Sequence, residues 1–395
     1  MITIAILVAV AATGLLLFWP RLLSAPLWRA TVTPLASIIG SGFLVIGPIL
    51  HTAFGWYAPV AMAALCLIAW TFGAAIRFNI SRRARVARSV TEERLELAAS
   101  WALAFAYFIS VAYYLNLFGA FGTALTPWHE TYHARILTSG MLLAILVVGW
   151  TKGFRALERL ETISVSLKLA MIGGLLAGLL WFFADRAASG MLIVSPPTVS
   201  GGSALALLFG LVVTVQGFET SRYLGAEYDA PMRIRSMRLA QLLSTAIYIV
   251  YILLIAYVFR PDAALLDETA IIDMMSLVAP ILPLMLTIGA LAAQFSAAVA
   301  DTGGSGGLID ELTGGTVTAR LAYVLLVVVG LALTWAFNVF QIITYASRAF
   351  ALYYSLQSAI AAVGSWNEEN RIRMILFGGL AVFGAAIVVF GLPVE

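Results

Sequence analysis

Long apolar runs separated by short, arginine-bearing loops recur along the chain from Ile2 to Leu392. Crossing a hydrocarbon core of ~30 Å takes about 20 apolar residues in a helix. Twelve segments meet that need: roughly 2–19, 31–54, 57–78, 97–121, 134–151, 160–184, 203–225, 237–259, 272–300, 319–337, 339–363 and 374–392. The pattern predicts an all-α polytopic membrane protein of twelve transmembrane helices. Met1–Leu17 has no Lys or Arg ahead of its apolar run, so it is expected to be a retained span and not a signal peptide.

Two of the spans are interrupted by residues that a simple spanning helix does not need. One reads Ala36-Ser37-Ile38-Ile39-Gly40-Ser41-Gly42-Phe43 and the other Val213-Thr214-Val215-Gln216-Gly217-Phe218-Glu219-Thr220-Ser221-Arg222. Backbone that unwinds at membrane depth must line a cavity or lie inside protein. A pair of such breaks in corresponding positions of two halves points to the binding site of a secondary transporter. The breaks fall in the second and seventh spans. Five is an odd number, so the second set of five helices enters the membrane inverted relative to the first. The expected organisation is an additional helix and linker over 1–30, a first five-helix repeat over 31–184, an inverted repeat over 185–363 and a further helix over 364–395.

Charge changes the picture by giving it a direction. Arg82, Arg83, Arg85 and Arg88 share one loop, and every second loop after and before it is basic too. Placing that loop in the cytoplasm follows the positive-inside rule and leaves only Arg135, Arg186 and Arg260 on the far side. The reading is a protein of the cell (inner) membrane with both termini outside. Composition agrees: 62% of residues are hydrophobic and 11% charged, with a mean hydropathy of +0.98. The lone Cys66 excludes a disulfide within the chain. The basic pI follows from the loop charges and implies no nucleic acid partner.

The residues at the breaks resemble a known family. Ile38-Ile39-Gly40-Ser41-Gly42-Phe43 is similar to the glycine-rich break in the first core helix of the amino acid–polyamine–organocation (APC) superfamily. Gly217-Phe218-Glu219, followed by Glu227, Pro231 and Arg233, is similar to its sixth core helix and the loop after it. The resemblance implies the LeuT-type fold, a 5+5 inverted repeat in which a mobile bundle works against a scaffold. It implies secondary active transport, with no catalytic residue and no cofactor.

The break chemistry points the same way. Uncovered amides at Ile39, Gly40, Ser41 and Gly42, at the positive end of a half-helix, suit a carboxylate. Carbonyls freed around Thr214, Gln216, Gly217 and Phe218 suit an ammonium, and the two poles together suit an amino acid or amine. The same Gly-Ser-Gly also lets helices approach closely. Phe218 is the candidate aromatic gate. The tyrosines at 107, 113, 114, 345, 353 and 354 are expected mainly to fill helix contacts.

Ionisable residues inside spans usually face a cavity or a partner. Lys168 resembles the lysine that some proton-coupled members place where sodium-coupled relatives bind their ion, which implies protons as the coupling partner. Ser296 is expected to line the same site. Glu219 with Arg222, and Asp301 with Arg348, are candidate intramembrane charge pairs, as structural links, gates or recognition of a charged solute. Transport of another small charged solute or ion on the same fold therefore stays open.

One motif favours a different class. His129-Glu130-Thr131-Tyr132-His133 matches the H-E-x-x-H zinc-protease pattern, with Thr126-Pro127 expected to start a helix. A catalytic zinc needs a third protein ligand, and the remaining histidine, His51, belongs to another outer loop. A non-transporting sensor on the same fold would normally carry a large cytoplasmic appendage, and a transporter is therefore the expectation.

Overall fold

A computed structural model describes residues 1–40, 42–151, 155–261 and 266–394, with the side chains at 155–164 and 226 left aside. Among the described residues every regular element is helical: α1 (Ile2–Leu17), α2 (Pro20–Leu23), α3 (Pro26–Ile38), α4 (Gly42–Phe54), α5 (Ala58–Arg83), α6 (Val90–Ala124), α7 (Thr131–Thr151), α8 (Arg155–Ala188), α9 (Gly201–Gly210), α10 (Ala230–Ala256), α11 (Ala270–Ser276), α12 (Leu282–Leu312), α13 (Ala319–Ala336), α14 (Val339–Asn367) and α15 (Arg371–Phe390). Three 3₁₀ turns, Val212–Val215, Phe218–Arg222 and Leu224–Ala226, carry the chain from α9 to α10.

Eight helical stretches among the described residues are long and apolar enough to cross a membrane, with α4 and α5 counted as one stretch, Gly42–Arg83. Their outward faces carry Val60, Leu67, Val147, Leu180 and Val328, all exposed. On α15 only Gly384 and Ile387 are buried. Apolar side chains on so many outer faces fit a lipid environment, where exposing them carries no hydrophobic penalty. The interior is built by α6, which packs along α12 and α14, and by α10, which packs on α3 and α5; α8 holds α1 and α12.

Prolines and capping residues set the boundaries. Pro26 and Pro231 sit in the first turns of α3 and α10, where a missing N–H is harmless. Ser89 and Glu92 form a reciprocal capping box at the start of α6. The expected span 272–300 is not one helix. It divides into the short α11 and a much longer α12: Pro280 lacks the N–H that would carry α11 onward, and Pro283 sits in the first turn of α12.

Both expected breaks are present. α3 and α4 are 13 residues each, about 20 Å apiece at 1.5 Å per residue, so neither spans the core alone. The second break is wider than the sequence suggested. The α-helix stops at Gly210 and does not resume before Ala230. The β-branched run Val212-Val213-Thr214-Val215 disfavours α-helix, and Gly217 takes φ +116°, a left-handed conformation that an L side chain resists.

Candidate functional site

The two breaks meet. A β-carbon placed on Gly42 would stand 2.9 Å from the Thr214 Cα, and one on Gly217 would stand 2.5 Å from the carbonyl carbon of Ser37. These glycines therefore serve close approach of the two broken helices, and for Gly42 this is the small-residue packing expected of Gly-Ser-Gly. Ile39, Gln216 and Phe218 are buried at this junction. Ser41 lies outside the described residues.

Ending a helix in mid-membrane frees backbone carbonyls, and side chains from neighbouring helices answer them. The Ala36 carbonyl would meet the Gly40 amide in a continuous helix; it instead accepts from Lys168 Nζ on α8 at 2.6 Å. The Ile38 carbonyl accepts from the Tyr248 hydroxyl at 3.0 Å, and the same hydroxyl lies 2.6 Å from the Thr214 carbonyl. Across the second break, Ser347 Oγ donates to the Gly210 carbonyl at 2.7 Å and accepts from the Val213 amide at 3.0 Å. Leaving such groups unmet in a buried place costs about 1–3 kcal/mol each. The sequence carries no signal for Tyr248 or Ser347, since a tyrosine or serine in an apolar span looks the same whether it packs or bonds.

Glu219 reaches back to its own break. Its Oε2 accepts from the Gly217 amide at 2.9 Å and from the Tyr354 hydroxyl at 2.8 Å. Phe218 stacks on the Tyr354 ring, with centroids 5.1 Å apart. The Gln216 amide nitrogen donates to Tyr114 Oη at 2.9 Å, and its Oε1 is buried with no hydrogen-bond partner.

Neither expected charge pair forms. Arg222 pairs with Glu96 on α6, while Glu219 is occupied in capping the turn that starts at Gly217. The 3₁₀ turn sends the two side chains to opposite partners. Asp301 accepts from Ser110 on α6. Arg348 binds the Gly391 carbonyl through Nε at 3.1 Å and Nη2 at 2.5 Å, so the chain after α15 takes the place assigned to Asp301.

A cavity of about 350 Å³ lies beside the junction, among α3, α6, α8 and α12. Ala36, Ser37, Lys168, Thr220, Ser296 and Asp301 line it, so Lys168 and Ser296 border the same cavity. It adjoins a wider cavity of about 1140 Å³, the two having Tyr223, Leu308 and Glu311 in common. Arg83, Ala84, Val90 and Arg94 form the exposed rim of the wider one, on the arginine-rich face. On the other side of the junction the helices pack closely. Phe43 lies 4.3 Å from the Tyr251 ring, and a β-carbon on Gly47 would strike that tyrosine. The Trp56 and Thr198 amides bond the Ser195 and Ala53 carbonyls at 2.9 Å each, tying the end of α4 to the segment before α9.

The zinc-protease pattern is not set on a helix. α7 begins at Thr131, leaving His129 in the preceding turn with its Nδ1 3.3 Å from the Thr126 carbonyl. Thr126-Pro127 does not start the helix: α6 runs on to Ala124 and the turn follows it. The H-E-x-x-H zinc site sets both histidines on one face of a helix, a placement that His129 does not have.

A family model described as an APC superfamily transporter matches residues 20–391. A protein of Aquifex aeolicus (strain VF5), named "Uncharacterized protein", is 41% identical over 378 residues, which is 93% of this chain and 92% of its own length. With two broken helices meeting at a buried junction and a match across nearly its whole length, the chain belongs to the APC superfamily of transporters.

Proposed function

We propose that this protein moves an amino acid or a related small organic solute across the inner membrane by alternating access, driven by protons. The carrying observation is the contact between Lys168 and the Ala36 carbonyl at the wall of a central cavity. A fixed cation at that point holds the first half of the broken helix to α8. Loss of its proton would release that hold, which links proton movement to the change of access.

The arrangement proposed is the twelve-span LeuT-type fold, with α3–α8 as the first repeat and α9–α14 as the inverted one. α1 and α15 stand outside the repeats. The arginine-rich face is cytoplasmic, so the open cavities represent the inward-facing state. A cysteine probe at His129 should then label from outside, and one at Arg83 should not; the reverse would overturn the orientation.

The solute would bind where the two breaks adjoin the cavity. Amides around Gly40 and Gly42 would meet a carboxylate. The buried, unpartnered Oε1 of Gln216 supports an ammonium position at the second break. Glu219, already bonded to Gly217 and Tyr354, would set the shape of that break, with Phe218 as its aromatic wall. Labelled amino acids, amines and carboxylates should be screened in proteoliposomes with and without a pH gradient. Uptake of an amino acid that rises with an inward proton gradient is expected. Uptake that follows sodium at constant pH would overturn the coupling, and uptake of none of them would overturn the solute class.

A further inference from the structure

Five arginines and three glutamates line the wider cavity, and two of those arginines share one carboxylate. The Arg222 and Arg88 side chains, 9% and 13% exposed, both pair with Glu96. Arg233 donates from Nη1 to the Arg222 carbonyl at 2.8 Å, and its buried Nε has no hydrogen-bond partner. Burial, then repulsion from Arg222 and Arg83, lowers the pKa of Arg88 to about 10, and the same causes lower that of Arg233. Glu93 and Glu311 also line the cavity, but both are exposed and neither forms an ion pair with Arg88, Arg222 or Arg233.

Arg82, a few residues away, shows what a balanced arginine looks like here. It holds Glu92 at 2.9 Å and Glu368 at 3.2 Å, the latter shared with Arg85, so that two guanidinium groups meet two carboxylates. Partly buried cations without matching anions are unfavourable. Several guanidinium groups converging on one space match the oxygens of a phosphate, which they bind through paired N–H donors.

We propose that this cavity is a binding site for a phosphate-class anion, held by Arg88, Arg222 and Arg233 and supplied by either a lipid headgroup or a soluble phosphate compound. A bound anion would bridge the last turns of the second break, which carry Arg222, to the start of α6. This binding does not depend on which solute is transported or on proton coupling.

The test is calorimetric titration of inorganic pyrophosphate into the purified full-length protein at low ionic strength. Saturable binding is expected, weakened at least tenfold in Arg233→Gln. Glu96→Gln should bind several-fold more tightly, because it frees Arg88 and Arg222 from their internal carboxylate, a gain that misfolding cannot imitate. Arg85→Gln removes a charge from the same loop outside the cavity and should stay within twofold of wild type. Repeating the titration in phosphatidylcholine nanodiscs with and without phosphatidylglycerol separates the sources. Competition by the anionic lipid identifies a headgroup, and its absence identifies a soluble phosphate. No binding of pyrophosphate, a loss in Arg85→Gln equal to that in Arg233→Gln, or weaker binding in Glu96→Gln would overturn the proposal.

Discussion

Gly217 presses its α-carbon against the backbone of Ser37, so that each break in the membrane helices is the packing partner of the other. The contact explains why two unwound segments coexist in the interior. Each one's freed backbone is shielded by the other and by Lys168, Tyr248 and Ser347. It also means that a movement of α3 cannot leave the second break unaffected.

Gly217→Ala should destabilise the protein by about 1–3 kcal/mol, since the new methyl meets the Ser37 backbone in a conformation that L residues avoid. Gly40→Ala is the gentler change, meeting only the Ser37 carbonyl oxygen at 3.1 Å. It should keep its melting temperature within a few degrees while weakening solute binding at least tenfold. Wild-type affinity in Gly40→Ala would remove the first break from the site.

Tyr248→Phe deletes the hydroxyl whose single proton lies between the Ile38 and Thr214 carbonyls, 3.0 and 2.6 Å away. Loss of that one buried donor predicts a cost of about 1–3 kcal/mol, and transport should fall with it because the hydroxyl touches both breaks. The ring's edge contact with Phe43, at 5.4 Å, stays in place, so packing is preserved. Unchanged thermal stability in this variant would show that the hydroxyl is dispensable.

The helical class, the two breaks and the shared position of Lys168 and Ser296 were all legible in the sequence. Each is written in local composition: apolar runs, glycines inside them, a charge where none is needed. The partners of Glu219, Arg222, Asp301 and Arg348 were not. Pairing them by spacing presumed that position 219 lies on an ordinary helix and that Arg348 faces α12. A 3₁₀ turn and the chain after α15 decided otherwise, and both depend on tertiary contacts that spacing does not encode. The width of the second break was readable in part, from its valine and threonine run.

Glu92 gives a pH dependence on the arginine-rich face. Burial would raise its pKa from the ordinary 4.5, but bonds from Arg82 and Ser89 prevail and hold it at about 2. A carboxylate held below its unfolded value stabilises the fold above pH 4.5 and loses that contribution as pH falls towards 2. Glu92→Gln leaves the Arg82 side chain, 9% exposed, with Glu368 alone and should cost about 3 kcal/mol at neutral pH. Melting temperatures of the two proteins should converge on acidification between those values. A constant gap across that range would mean that the carboxylate's charge contributes nothing.

Lys168→Ala is the sharpest test of coupling. The ammonium meets the Ala36 carbonyl at 2.6 Å, joining α8 to the end of α3 inside the cavity that opens on the arginine-rich face. Removing it frees that carbonyl and severs the contact proposed to respond to protonation. Uptake driven by a pH gradient should fall at least tenfold, while exchange of labelled for unlabelled solute, which needs no net driving force, should survive. Because the side chain is 5% exposed, Lys168→Met keeps most of its volume and separates lost charge from lost packing. Both variants should lose the gradient response. Gradient-driven uptake that persists in Lys168→Met would make the lysine a structural link between two helices and place the coupling elsewhere.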